Sequence, residues 1–151
     1  MKQLEEVLKT SKSIPLSKAT VIRVFYSNNG IKDELLSALK PFDLSIEQFN
    51  VLRILRGQKG QPINLQDIQD RMVSKMSNTT RLVDKLIKKD FVQRQTCETN
   101  RRKVDISITD EGLAILKTLD PLIDQAEQNV TQNLSKKELE QLNILLSKLN
   151  F

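Results

Sequence analysis

The chain has 151 residues, a net charge of +5, no histidine and a single cysteine. That length makes one domain the expectation, with enough chain for a real core. Without histidine the commonest general base and the commonest transition-metal ligand are missing, and the lone Cys97 excludes an internal disulfide and points to a reducing compartment.

Glu5 and Glu6 stand where a secretion signal needs an apolar core. No uncharged apolar run approaches the ~18 residues of a membrane span, so a cytoplasmic protein is expected. The positive charge is unevenly placed. Between Arg71 and Lys103 there are ten Lys/Arg and three Asp/Glu, so this segment carries +7 and the remainder −2. A basic segment of that kind suits a polyanionic partner.

Leu4, Val7 and Leu8 have helical spacing, and Ser11 to Pro15 breaks it. A long helix is predicted from about Ser17 to Lys40. Asn28-Asn29-Gly30 would ordinarily signal a turn, yet positions 21, 24, 28, 31 and 35 keep one helical phase through it. A continuous helix is therefore expected, with Asn28 on its buried stripe, and Pro41 ends it. Ser45 and Gln48 form a capping box for a helix bearing Phe49, Leu52, Ile54 and Leu55, which stops at Gly57. Asn64 with Asp67 starts a short helix bearing Leu65, Ile68 and Met72, and Val73 is read as the turn after it.

The next helix, predicted from Ser74 to Lys89 with Ser74 as its N-cap, organises the chain. Met76, Thr79, Leu82, Val83 and Leu86 fall on one side; Ser74, Ser77, Asn78, Arg81, Lys85 and Lys88 fall on the other. A face mixing hydrogen-bonding groups with cations can read base edges and hold phosphates together. An ordinary solvated helix face is the plainer reading of this stretch alone. Two short helices around a tight turn make a helix-turn-helix.

Asp90 follows where glycine usually closes a helix. Phe91–Thr96 and Val104–Thr109 alternate as strands, with a long basic tip, 97–103, between them. Arg94, inside a strand, is assigned a structural role. Thr109-Asp110-Glu111-Gly112 caps a helix carrying Leu113, Ile115, Leu116, Leu119 and Leu122. Ser135 and Glu138 form a second capping box, before a helix with Leu139, Leu142, Leu145, Leu146 and Leu149 on one side.

A helix-turn-helix followed directly by a basic hairpin is a winged helix. Its helix suits the major groove, and hairpin arginines suit the narrow minor groove beside it. The expected fold is mostly α with a small β-hairpin wing. A winged-helix lobe at about 44–110 is flanked by N- and C-terminal helices, about 1–40 and 111–151, in a single domain. Expected DNA-binding residues are Ser74, Lys75, Ser77, Asn78, Thr80, Arg81 and Lys85 on the helix, with Arg101, Arg102 and Lys103 on the wing.

Leu44-Ser45-Ile46-Glu47-Gln48-Phe49, Asn78-Thr79-Thr80-Arg81-Leu82-Val83-Asp84-Lys85-Leu86, Arg101-Arg102 and Ile108-Thr109-Asp110-Glu111-Gly112 together resemble the MarR (multiple antibiotic resistance regulator) family. The resemblance covers some 70 central residues of the chain. It implies a homodimeric transcriptional regulator, often a repressor relieved by a small molecule. Terminal helices would form the dimer and two winged-helix lobes would grip a pseudo-palindromic operator. Two residues depart from the family pattern. Asn100 stands for the wing's Asp, so any ion pair that fixes the wing there is missing, although Asn can still hydrogen-bond and Glu98 is close enough in sequence to substitute; Asp90 stands for Gly.

Asn28 is the one hint of a ligand contact, weighed against a cross-dimer hydrogen bond or a contact to the next helix. Cys97 as an oxidant sensor is weighed against an incidental thiol; no second cysteine exists to trap a sulfenic acid within the chain. No cofactor or metal is expected. An enzyme is disfavoured, because no nucleophile-plus-base, metal or Gly-rich phosphate signature is present. The reading kept open beside DNA regulation is a winged-helix module for protein–protein assembly.

Overall fold

The computed structural model describes residues 4–9, 13–97 and 100–149, with the side chains of residues 4, 5, 96, 97 and 100–103 outside that description. In chain order these residues form α1 (Leu4–Val7), α2 (Leu16–Leu39), a 3-10 turn (Lys40–Phe42), α3 (Ile46–Gly57), α4 (Leu65–Arg71), α5 (Thr79–Ile87), β1 (Val92–Cys97), β2 (Asn100–Ile108), α6 (Asp110–Thr131) and α7 (Lys136–Leu146). The protein is mostly helical, with one antiparallel two-stranded hairpin.

Helix α2 runs unbroken through Asn28-Asn29-Gly30, as the conserved phase predicts. It stops at Leu39, where Pro41 tightens the chain into the 3-10 turn. Both halves of the capping box at Ser45 form. The Gln48 amide donates to the Ser45 hydroxyl at 3.2 Å, and the Gln48 side chain accepts from the Ser45 amide at 2.9 Å. Asn64 caps α4 through the Asp67 amide at 2.9 Å. Ser135 and Glu138 form the reciprocal pair at the start of α7. These hydrogen bonds to Ser135 hold the Glu138 carboxyl below its ordinary value.

Two compact units result, one spanning Leu35–Ala126 and the other joining the residues up to Glu34 with those from Glu127 onward. The first holds the hydrophobic core. Leu39, Leu52, Ile68, Val83, Leu86, Leu116 and Leu119 are fully buried in it. Each such leucine contributes about 1.5–3 kcal/mol of burial. On α6 the buried positions are Gly112, Leu116, Leu119, Ile123 and Ala126, whereas Leu113 and Leu122, expected on the apolar stripe, are exposed. In the second unit no described side chain is buried. Asn28, expected on a buried stripe, is exposed there.

The hairpin is tied to the core at its root. Ile63 and Ile106 exchange both backbone hydrogen bonds, at 3.0 and 2.8 Å, which adds one bridge to the outer edge of β2. At the junction with α6, Thr109 accepts from the Gly112 amide at 3.0 Å and donates to the Asp90 carbonyl at 2.6 Å. Asp90 takes the left-handed conformation, with φ of 58°. Gly112 has no alternative: a Cβ there would lie 2.2 Å from the Phe91 carbonyl oxygen and 2.6 Å from Ile108 Cγ1. Gly112→Ala is therefore expected to cost about 1–3 kcal/mol or more. A urea melt reads this directly, and an unchanged midpoint contradicts it.

Candidate nucleic-acid interface

Helix α5 begins at Thr79, four residues later than the pattern suggests, and its N-cap is Asn78. The Asn78 side-chain oxygen accepts from the Arg81 amide at 3.1 Å. Ser74 is therefore not the cap. Residues 72–78 instead form a turn whose polar backbone is satisfied from outside. Asn50 on α3 accepts the Val73 amide at 3.0 Å, and Gln69 on α4 donates to the Lys75 carbonyl at 2.6 Å. Gln69 also accepts the hydroxyl of the buried Thr79. With those groups bonded elsewhere, the helix gains nothing by extending backward.

The early start also misplaces Met76. A helical wheel carried back from Thr79 puts it in the core, but it is 96% exposed. The remaining stripe holds, since Thr79, Val83 and Leu86 are buried and Leu82 packs partly against the core.

Ser74, Lys75, Asn78, Thr80, Arg81 and Lys85 are all exposed, and Ser77 is half-buried. A groove of about 450 Å³ brings together Ser74, Ser77, Asn78, Arg81 and Lys85, with Met76 and Glu47 on the same walls. Two acids could have claimed Arg81, but each has another partner. Asp84 binds Arg94 at 2.8 Å, and Asp67 lies 3.8 Å from Arg71. Among the described residues no carboxylate pairs with Arg81. Lys75 is less free, because its ammonium donates to the Asp70 carbonyl. Lys89 pairs with Asp43 at 2.5 Å, and its hydrogen bond and charge hold the Asp43 carboxyl below the usual carboxylate range, with Lys85 adding to the effect.

Arg94 has the structural role its strand position suggests. Its ion pair with Asp84 straps β1 to α5. The bidentate Arg56–Asp120 pair, at 2.6 and 3.1 Å, straps α3 to α6 in the same way. Neither pairing is visible in sequence, since each joins separate elements. A second hollow of about 910 Å³ lies around Asp84, Lys88, Asp90, Arg94 and Glu111. Its mixed charge does not suit a polyanion.

The hairpin is longer than expected and its tip shorter. Pairing runs from Val92↔Ile108 to Thr96↔Val104 and then skips to Cys97↔Asn100. Arg101, Arg102 and Lys103 therefore lie in β2, in the extra backbone at this irregularity, and not in a free tip loop. Glu98 lies outside the described residues, as do the side chains of Cys97, Asn100, Arg101, Arg102 and Lys103. Among the described residues no helix is long and apolar enough to cross a membrane, and no group of His, Cys, Asp or Glu could hold a metal ion.

A helix-turn-helix with an exposed basic face, continued into a basic hairpin, defines a winged helix-turn-helix protein. The MarR family model matches residues 44–104. The multiple antibiotic resistance protein MarR of Escherichia coli is 31% identical over 129 residues, which cover 83% of this chain and 88% of that protein. The HTH-type transcriptional regulator SarZ of Staphylococcus aureus is 30% identical over 104 residues, 69% of each chain. A crystal structure of a mutant Escherichia coli MarR complexed with operator DNA superposes with a TM-score of 0.76 at 26% identity, covering 97% of this chain and 98% of that one. The chain belongs to the MarR family: it is a transcriptional regulator and not an enzyme.

Proposed function

We propose that this protein is a homodimeric repressor that binds a pseudo-palindromic operator in double-stranded DNA, works in the cytoplasm and is released by a small-molecule effector. The observation that carries the DNA-binding reading is the outward face of α5. Thr80, Arg81 and Lys85 are exposed, and among the described residues no carboxylate pairs with Arg81, Asp84 being engaged by Arg94. A bidentate guanidinium on such a face suits guanine in the major groove. The operator complex of the related MarR supports the same use of the fold.

The homodimer is supported by the unit built from α1, the first part of α2, the end of α6 and α7, which buries no described side chain. Val21, Phe25, Tyr26, Ile144 and Leu145 are each more than half exposed in the single chain. Apolar area on that scale marks a protein contact. Asn28 lies among these exposed apolar residues, and the same reading assigns the effector contact to it. An effector changes DNA affinity only by its differential affinity for the DNA-competent state.

Selection of a duplex from a randomised library with the purified protein tests the core of this reading. The expected result is an enriched, two-fold symmetric site that outcompetes scrambled duplex, with affinity falling steeply as salt rises. Binding without sequence preference, or retention only on an acidic protein, would replace it with the assembly-module reading.

A further inference from the structure

We infer that Met76 is a specificity-determining residue that reads a thymine through its 5-methyl group in the major groove. The inference rests on the DNA-binding reading above. Met76 is 96% exposed, on a turn and not on a helix flank. Isolated apolar residues are common on protein surfaces, so exposure alone says little. Its setting says more.

The turn that carries Met76 is held by other helices on its N-terminal side. Asn50 fixes the Val73 amide and Gln69 fixes the Lys75 carbonyl, the residue directly before Met76. A third bond, from the Ser77 amide to the Ser74 carbonyl at 3.2 Å, closes the turn around it. An unbranched, fully solvated side chain is thus displayed from a pinned backbone. Met76 also shares the walls of one groove with Asn78, Arg81 and Lys85. A duplex seated on those cations brings base edges to the same surface.

The groups a duplex presents there are polar, with one exception. Thymine's methyl is the apolar feature of the major-groove edge, and apolar side chains are what recognise it. The flexible, polarisable thioether adapts to such a contact without needing a fixed rotamer. Burial of Met76 against a methyl removes from water a surface that folding leaves bare. A polar side chain at this position would instead compete for the donors and acceptors that Arg81 and Asn78 address.

The test uses the full-length protein and the duplex it selects from a random library. Each thymine is replaced in turn by deoxyuridine, which removes only the methyl. The wild type is expected to lose about three- to tenfold in affinity at one thymine per half-site. Met76→Gln should bind thymine and uracil duplexes equally at that position, and Met76→Leu should keep most of the discrimination. Since the side chain is solvated, unchanged thermal melting is expected for both variants.

A wild type that selects a site yet is indifferent to every thymine-to-uracil change overturns the Met76 assignment and leaves DNA reading intact. The same holds if Met76→Gln retains the full discrimination. A wild type that selects no site overturns both readings together.

Discussion

Replacing Leu142 and Leu146 together by glutamate is expected to yield monomers or unfolded chain and to abolish operator binding. Both leucines lie on α7 and are 41% and 43% exposed in the single chain, beside Leu145 at 52%. An interface of ~800 Å² per partner supplies on the order of 20 kcal/mol of gross apolar burial at ~25 cal/mol per Å². Association costs of ~4–15 kcal/mol stay below this gross term, as the proposed dimer requires. Two carboxylates placed in that patch must be desolvated without partners, which reverses the balance. Sedimentation at micromolar concentration gives the answer, with circular dichroism separating monomer from unfolded chain. A wild type that sediments as a monomer, or a double variant that stays dimeric with full DNA affinity, removes α7 from the interface.

Arg81→Ala is expected to cost on the order of 1–3 kcal/mol on the selected operator, about five- to 150-fold in affinity. It should relax preference at one position per half-site, with half-sites ~10 bp apart centre to centre. Loss of Arg101 has a different expected signature. Its place in the irregular part of β2 makes it a wing cation, so Arg101→Ala should weaken good and poor sites alike and flatten the salt dependence. Any residual wing preference should be for A·T over G·C, because the minor groove distinguishes little more. Titration of both variants on matched and singly substituted duplexes at several salt concentrations separates the roles. If Arg101→Ala erases discrimination and Arg81→Ala leaves it whole, the assignments are reversed.

What could be read from the chain was local. Ser45 with Gln48, Asn64 with Asp67 and Ser135 with Glu138 cap helices through partners three residues away, so sequence alone displays them. The uninterrupted phase across Asn28-Asn29-Gly30 is equally local. The start of α5 was not legible for the opposite reason. Ser74 and Asn78 are both good caps, and the choice is made by Asn50 and Gln69, which lie on other helices. From that one tertiary decision follow the exposure of Met76 and the cap role of Asn78. Arg94 could be placed in a strand, but its bond to Asp84 depends on how β1 returns along α5. Leu113 and Leu122 show the limit of pattern on α6: both fit an apolar stripe, and the core takes Leu116, Leu119 and Ile123 instead.

The bridge between Ile63 and Ile106 bears on the order in which the lobe assembles. Few residues separate β1 from β2 in sequence, so their pairing closes at little entropic cost. The bridge joins residues about forty apart, and its closure entropy must be met before Ile106 is sealed into the core. The hairpin can therefore exist early as a loose ribbon, but it acquires a fixed direction only when the segment before α4 docks against it. A nascent chain that has not yet placed Ile63 holds the strand bearing Arg101, Arg102 and Lys103 without its anchor to the core.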